Sequence, residues 1–191
     1  MQRAFYFDQS RCVGCHACSI ACKDWHDIGA GPVQWRTVIS RERGTYPTVF
    51  LSYLSLSCNH CEQPACAQAC PADAISKREA DGIVVVDREA CLGNTACDTL
   101  CKKACPYSVP QFGEEEEAKM QMCTFCVDRV AENKKPICVD ACPMRALDAG
   151  PLKELKENYG EIKKIEGFTY SKKTKPSIIF KPRMPLSKTP Y

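Results

Sequence analysis

Sixteen cysteines in a chain of 191 residues fall into four motifs of four, and no cysteine is left over. The first motif has the spacing C-x2-C-x2-C-x3-C, which binds cubane iron–sulfur clusters in bacterial ferredoxins. The sequence therefore predicts four [4Fe–4S] clusters in one chain that passes electrons. Numbered in chain order, the motifs are Cys12, Cys15, Cys18 and Cys22; Cys58, Cys61, Cys66 and Cys70; Cys91, Cys97, Cys101 and Cys105; and Cys123, Cys126, Cys138 and Cys142.

The residue after the fourth cysteine indicates how the motifs work together. Proline follows Cys70, Cys105 and Cys142, whereas Lys23 follows Cys22. In the bacterial ferredoxin run the fourth cysteine precedes proline and ligates the other cluster of a two-cluster protein. We therefore expect the motifs to act in pairs, with ligands exchanged within each pair.

A disulfide scaffold and structural zinc sites are the alternative uses of so many cysteines. Disulfide scaffolds suit short secreted chains, whereas this chain begins MQRAFYFD, without the apolar core of a signal peptide, so we expect no such peptide. Structural zinc sites usually combine two separated cysteine pairs, but here three cysteines crowd one loop. An assay for iron and acid-labile sulfide distinguishes these alternatives from clusters.

Composition excludes several other functions. The 26 basic and 23 acidic residues give a formal charge of +3 without a dense basic run, which argues against nucleic-acid binding. No stretch approaches the roughly eighteen apolar residues of a membrane span, so membrane association would come through a partner. No catalytic triad, phosphate loop or nucleotide fingerprint is present, so we expect no catalysis by this chain alone.

Short segments with turn signals predict a fold of small elements around the clusters. Aspartate and glycine at 81–82 predict a hairpin between 74–77 and 83–87. We expect a short helix after each fourth cysteine, and a helix over 151–159 that begins with proline and ends before Gly160. The remaining predictions are strands at 3–8, 48–55 and 176–181, and two helical turns within 127–135.

Three of the motifs, with their flanks, resemble a known family. They read CVGCHACSIACKDWHD, SCNHCEQPACAQACPADAISKREADGIVVVD and CTFCVDRVAENKKPICVDACPMRALDAGP. These segments resemble the iron–sulfur electron-transfer subunits of the DMSO-reductase family of molybdenum or tungsten oxidoreductases. The resemblance covers about 5–181, and the eleven-residue gap from Cys126 to Cys138 is distinctive.

The resemblance implies an α+β fold with two ferredoxin-like units. The first would comprise 1–57 and 106–160, with an insertion at 23–56, and the second 58–105. A C-terminal extension would follow at 161–191, and its last ten residues, 182–191, look like an extended tail.

The resemblance also implies which cysteines share a cluster. Each cluster would take three cysteines from one motif and the fourth from its partner motif. The implied sets are Cys12, Cys15, Cys18 and Cys142 for cluster one; Cys22, Cys123, Cys126 and Cys138 for cluster two; Cys58, Cys61, Cys66 and Cys105 for cluster three; and Cys70, Cys91, Cys97 and Cys101 for cluster four.

The third motif departs from the family pattern. It reads CLGNTACDTLCKKACP, with Asn94 where the second cysteine would fall. One interpretation is an insertion that leaves Cys91, Cys97 and Cys101 to ligate a complete [4Fe–4S] cluster with Cys70. The other is a [3Fe–4S] cluster, as in family members that lack the second cysteine. We favour the [4Fe–4S] cluster, because four cysteines remain available.

As a function, the resemblance implies a non-catalytic subunit. It would carry electrons between a quinone-linked or other redox partner and a molybdopterin or tungstopterin catalytic subunit, commonly beside a membrane anchor. It would associate with the membrane through these partners, at the cytoplasmic face or, if exported with the catalytic subunit, at the periplasmic face. A free soluble polyferredoxin shuttle is the alternative, although the insertion and the tail argue against it.

Overall fold

The computed structural model describes residues 1–184, which include all sixteen cysteines. The part of the expected tail from 185 to 191 lies outside the described residues. The elements of the described chain are β1 (Arg3–Asp8), α1 (Ala17–Trp25), β2 (Thr37–Arg43), β3 (Phe50–Leu56), α2 (Ala65–Gln68), β4 (Ile75–Lys77), β5 (Val84–Val86), α3 (Leu100–Ala104), α4 (Val127–Ala131), α5 (Ile137–Asp140), β6 (Leu147–Pro151), α6 (Leu152–Tyr159) and β7 (Ile178–Lys181).

A three-stranded sheet in the order β6-β1-β7 joins both ends of the described chain. The central strand β1 pairs antiparallel with β6 and parallel with β7, so that Phe5 lies opposite both Ala149 and Ile178. Side chains alternate along a strand, and β1 therefore buries Phe5 and Phe7 in the main core. Its opposite face packs on α6 in a small second core of Ala4, Tyr6, Leu155, Ile179 and the partly buried Leu152. The predicted strand at 3–8 is confirmed, as is a strand within 176–181.

Two hairpins complete the strand pairing. The predicted turn at Asp81 and Gly82 joins β4 to β5, with Ile75 opposite Val86 and Gly82 at φ +70°. The second hairpin pairs β2 with β3 over seven residues each. We predicted a strand close to β3 but not its partner β2, which lies within the 23–56 insertion. Leu54 and Ser52 on β3 are fully buried, so this hairpin packs against the core.

The expectation of a helix after each fourth cysteine is wrong. Helices α1, α2, α3 and α5 all precede or contain the fourth cysteine of their motif. Proline disfavours a helical conformation in the residue before it, so the prolines after Cys70, Cys105 and Cys142 end the helix there. Motif one has Lys23 at that position, and α1 alone runs on past its fourth cysteine, to Trp25.

The helix expected over 151–159 is confirmed as α6, which starts after Pro151 and ends before Gly160. A short helix, α4, lies within 127–135. Within residues 1–184, no helix has the length and apolar character needed to cross a membrane. The small mixed elements confirm the α+β class, while the division into two ferredoxin-like units with an extension stays a prediction.

Candidate metal centres

Four cysteines from two distant motifs line one small cavity beside β1 and β6. Cys12, Cys15 and Cys18 come from motif one and Cys142 from motif four. Burial raises the pKa of the Cys12 thiol, and the negative charges of Cys18, Cys142 and Cys15 contribute to the rise. We call this set site one. Its remaining lining is mostly apolar and includes Phe7, Val38, Met144, Ala146 and Leu147.

A second cavity holds the cysteines of the irregular motif. Cys91, Cys97 and Cys101 line it together with Cys70 of motif two, and we call this set site four. Burial raises the pKa of Cys101 to about 11, and the charges of Cys97, Cys70 and Cys91 add to it. Apolar side chains fill the rest of the wall, including Ile75, Val86, Phe112 and Met120.

The remaining cysteines of motifs one and four form site two. Burial raises the pKa of Cys22, and the charges of Cys123, Cys138 and Cys126 raise it further. Burial also raises the pKa of Cys126 to about 12, with contributions from Cys123 and Cys138. Three thiols of motif four and one of motif one therefore lie within electrostatic reach of one another.

Site three combines motif two with the last cysteine of motif three. Burial raises the pKa of Cys66 to about 12, and the charges of Cys105 and Cys61 add to the rise. Burial raises the pKa of Cys58, with contributions from Cys66 and Cys61. The structure thus brings together three thiols of motif two and one of motif three.

Each site interacts electrostatically with the next. Burial is the largest cause of the raised pKa values, and thiols of the adjacent site add to it. Cys18 in site one raises the pKa of Cys138 in site two, and Cys123 in site two raises the pKa of Cys58 in site three. Cys66 in site three responds in the same way to a thiol of site four. Charge interactions fall off with distance, so site one adjoins site two, site two adjoins site three, and site three adjoins site four; we call this succession the row.

The four cysteine loops share one backbone conformation. The second residue after the first cysteine of each motif has a positive φ: Gly14 at +72°, His60 at +41°, Gly93 at +94° and Phe125 at +61°. This conformation turns a backbone N–H inward, and the N–H groups of His60 and Phe125 each donate to the first Sγ of their loop at 3.4 Å. Such bonds stabilise a thiolate and help to set a cluster's potential.

Motif three begins like the other motifs, because Gly93 adopts the shared positive φ. Asn94 then donates its backbone N–H to Ala118 at 3.0 Å, which directs the chain away before it returns at Cys97. The Cys91 Sγ accepts a hydrogen bond from the Met120 N–H at 3.4 Å. Extra residues therefore lie between the first and second cysteines, and Cys97 still reaches the cavity.

Two residues near the thiols were not predicted from the sequence. The His26 Nε2 lies 3.2 Å from the Cys126 Sγ in site two, although His26 follows motif one. Because residues four apart lie on the same side of a helix, the position of His26 four residues after Cys22 could have indicated that it lies near the thiols. Arg36 is 2% exposed and lies among the thiols of sites one and two. No spacing rule relates it to any cysteine.

The donor sets fit iron–sulfur clusters. All sixteen cysteines are free thiols in the described chain, and soft sulfur ligands select iron–sulfur clusters or zinc. One tetrahedral zinc ion needs its sulfurs within about 4 Å of each other. Among residues 1–184, no three His, Cys, Asp or Glu side chains converge closely enough to hold a single metal ion. Four thiols line each of two cavities whose other walls are mostly apolar, and four cysteine thiolates are the ligands that a [4Fe–4S] cluster takes.

Comparison with known proteins agrees with this chemistry. A family model described as "4Fe-4S dicluster domain" matches residues 49–152. The chain is 45% identical over 189 residues to the B subunit of the anaerobic dimethyl sulfoxide reductase of Escherichia coli strain K12, covering 95% of this chain and 89% of the relative. It is 37% identical over 167 residues to "Formate dehydrogenase iron-sulfur subunit" of Wolinella succinogenes, covering 76% and 80% respectively. It is also 37% identical over 159 residues to "Thiosulfate reductase electron transfer subunit PhsB" of Salmonella typhi, covering 80% and 78%.

Proposed function

Because this chain belongs to the 4Fe-4S dicluster family, among the iron–sulfur subunits of DMSO-reductase-type oxidoreductases, we propose that it carries electrons through four clusters to or from a catalytic subunit. The resemblance predicted from the motifs is thereby confirmed. The observation that carries the proposal is the row of four thiol sites, each within electrostatic reach of the next.

We assign one cluster to each site. Cluster one would be held by Cys12, Cys15, Cys18 and Cys142; cluster two by Cys22, Cys123, Cys126 and Cys138; cluster three by Cys58, Cys61, Cys66 and Cys105; and cluster four by Cys70, Cys91, Cys97 and Cys101. The shared cavities and the mutual rise in thiol pKa support these sets. Under this assignment motifs one and four form one ferredoxin-like unit and motifs two and three the other.

A bound cluster supplies one-electron chemistry, and the chain's part is to hold it dry and to adjust its charge. Cysteines ligate a cluster as thiolates, whereas burial alone favours the neutral thiol. The folded site and the metal therefore depend on each other, and metal binding is coupled to folding. Backbone N–H groups directed at Cys58, Cys123 and Cys91 favour the thiolate form. Apolar side chains such as Phe7 and Met120 exclude water from the end sites.

For site four we propose a complete [4Fe–4S] cluster rather than a [3Fe–4S] cluster. The position of Cys97 in the cavity wall together with Cys70, Cys91 and Cys101 supports a fourth ligand. EPR of the oxidised, anaerobically purified protein tests this, since a [3Fe–4S] cluster is paramagnetic in that state. A strong three-iron signal in intact protein would contradict the assignment.

The catalytic partner would hold a molybdopterin or tungstopterin. A membrane anchor that exchanges electrons with quinone would complete the complex and hold it at one face of the membrane, cytoplasmic or periplasmic. The names of the relatives, which include subunits of reductases and of a dehydrogenase, support a catalytic partner and leave both directions of electron flow open.

The exchange of ligands between motifs is tested with paired substitutions. Cys142→Ser combined with Cys15→Ser alters only site one, and we expect a loss of at most about four irons. Cys142→Ser combined with Cys126→Ser alters sites one and two, and we expect a loss of up to about eight. If ligands came from one motif only, the two double variants would give the reverse order of iron loss.

The complex is tested on native extract. We expect the chain to elute with a larger subunit that contains pterin and molybdenum or tungsten. Elution alone near 21.3 kDa, with its iron intact, would favour the free polyferredoxin shuttle instead.

A further inference from the structure

Arg36, just before β2, is a buried cation without a buried carboxylate beside it. Its side chain is 2% exposed. Within residues 1–184, every ion pair involves other cations. A buried charge is costly unless an opposite charge or hydrogen bonds compensate it. The compensation for Arg36 must therefore come from groups other than Asp and Glu.

The hydrogen bonds of Arg36 direct it toward the thiols. Its Nη1 donates to the Ser55 Oγ at 3.1 Å and its Nη2 to the Ser57 Oγ at 2.8 Å. The Ser55 Oγ in turn lies 3.5 Å from the Sγ of Cys18 in site one. The guanidinium also stacks over the Phe5 ring, 4.7 Å from its centroid. These contacts fix the cation in one place between the sheet and the β2–β3 hairpin.

One nitrogen of the guanidinium remains without a hydrogen-bond partner. The Nε of Arg36 is buried and makes no hydrogen bond to any protein group of the described chain. The surrounding ionisable groups are the cysteines of two sites. Burial opposes the charged form of Arg36, but the negative charges that Cys138, Cys18, Cys123 and Cys22 carry as thiolates outweigh it and raise the pKa of Arg36. Arg36 therefore stays charged at any physiological pH.

We propose that Arg36 is the fixed countercharge of sites one and two, and that it raises the reduction potentials of the clusters held there. This inference rests on the proposed electron-transfer function. Reduction by one electron from the redox partner adds one negative charge to a cluster, and a nearby fixed cation stabilises that charge. Net charge and hydrogen bonds to sulfur are the means by which proteins set cluster potentials. Site four, at the far end of the row, lies outside this group of thiols.

The test compares Arg36→Gln, which keeps N–H donors and removes the charge, with Arg36→Lys, which keeps the charge. Each variant is loaded with iron and sulfide, its iron is counted, and its potentials are measured by EPR-monitored redox titration. At a fixed potential we expect Arg36→Gln to lower the ratio of reduced to oxidised cluster at site one or two about tenfold, which is about 59 mV for one electron. Arg36→Lys should keep most of the wild-type ratio.

Arg43→Gln is the matched control, because Arg43 lies on β2 and is exposed in an ion pair with Glu166. It should leave all the potentials unchanged. A fully loaded Arg36→Gln protein with wild-type potentials would overturn the inference. If Arg36→Gln fails to hold iron at sites one and two, retention by Arg36→Lys supports the role of charge, whereas equal loss in both overturns it. Wild-type protein that takes up no clusters would instead refute the proposed function itself.

Discussion

Gly93 is the position where a single methyl group should disturb one cluster site and leave the rest of the protein intact. Its φ is +94°, and a Cβ added there would lie 2.8 Å from the carbonyl oxygen of Glu117. His60 and Phe125 occupy the equivalent loop position at smaller φ values, +41° and +61°. A side chain at this position is therefore tolerated near the left-handed well, whereas Gly93 combines a larger φ with a backbone contact that cannot rotate away.

Substitutions at two other glycines separate the two contributions to the stability lost in Gly93→Ala, which are backbone strain and steric overlap. Gly160 has φ +81° and ψ −165° with open space around its Cβ position, so Gly160→Ala should cost about 1–3 kcal/mol from backbone strain alone. Gly29 has neither strain nor a neighbour within 4 Å, so Gly29→Ala should be neutral or stabilising by up to about 1 kcal/mol. At Gly93 overpacking adds about 1–3 kcal/mol, for a total of about 2–5 kcal/mol.

The loss of stability in Gly93→Ala destabilises the segment that contains Cys91. The loop is joined to 117–120 by the Asn94 N–H to the Ala118 carbonyl and by Lys119 to the Cys91 carbonyl. A loss of about 3 kcal/mol is about a hundredfold shift toward iron release. We expect a chelator to remove about four of about sixteen irons from Gly93→Ala before the remainder. Iron retention equal to that of Gly160→Ala would refute the clash with Glu117 as the cause.

The remaining predictions concern the sheet, one carboxylate and the metal. Phe180→Ala should cost about 3–5 kcal/mol, because Phe180 on β7 is fully buried, whereas Phe180→Leu should cost under about 1.5 kcal/mol; urea unfolding followed by circular dichroism measures both. Burial opposes ionisation of Asp148, but hydrogen bonds from Lys135 and Tyr159 outweigh it and lower its pKa. The stability lost in Asp148→Asn, about 1 kcal/mol near neutral pH, should therefore vanish as the pH falls through that pKa, and a constant difference between the urea midpoints would contradict this. Chelation of iron under reducing, anaerobic conditions should remove the helix and strand signals from the far-ultraviolet circular dichroism and expose the chain to protease; a protease-resistant metal-free chain would contradict this.

Local rules predicted the features that depend on a few neighbouring residues. The β4–β5 hairpin follows from Asp81 and Gly82, and α6 from Pro151 and Gly160, because turn and capping preferences act over one or two residues. The same kind of rule, applied properly, would have ended the motif helices at the residue before proline. The helices of motifs two, three and four therefore lie before the fourth cysteine and not after it, because proline disfavours the helical conformation in the residue that precedes it.

Pairings between distant segments were harder to predict. Strand β2 has exposed polar residues along most of its length, so its sequence lacks the apolar alternation that marks a half-buried strand. It forms because seven residues of β3 lie opposite it. The groups around Arg36 likewise come from motif one, motif four and β3. No local sequence pattern predicts that these distant segments meet.

The placement of the thiols at site one depends on the backbone register of the sheet. Strand β1 ends at Asp8, shortly before Cys12, and β6 begins at Leu147, shortly after Cys142. The pairing of Phe7 with Leu147 therefore brings the two cysteines to the same end of the sheet. Three strands with a buried face and a helix packed on the other hold this register. Under the proposed assignment, a cluster that joins Cys12 to Cys142 would close the same loop with metal–sulfur bonds. The sheet thus sets which motifs meet, so that a shift in the register between β1 and β6 should cause the loss of both clusters proposed for motifs one and four.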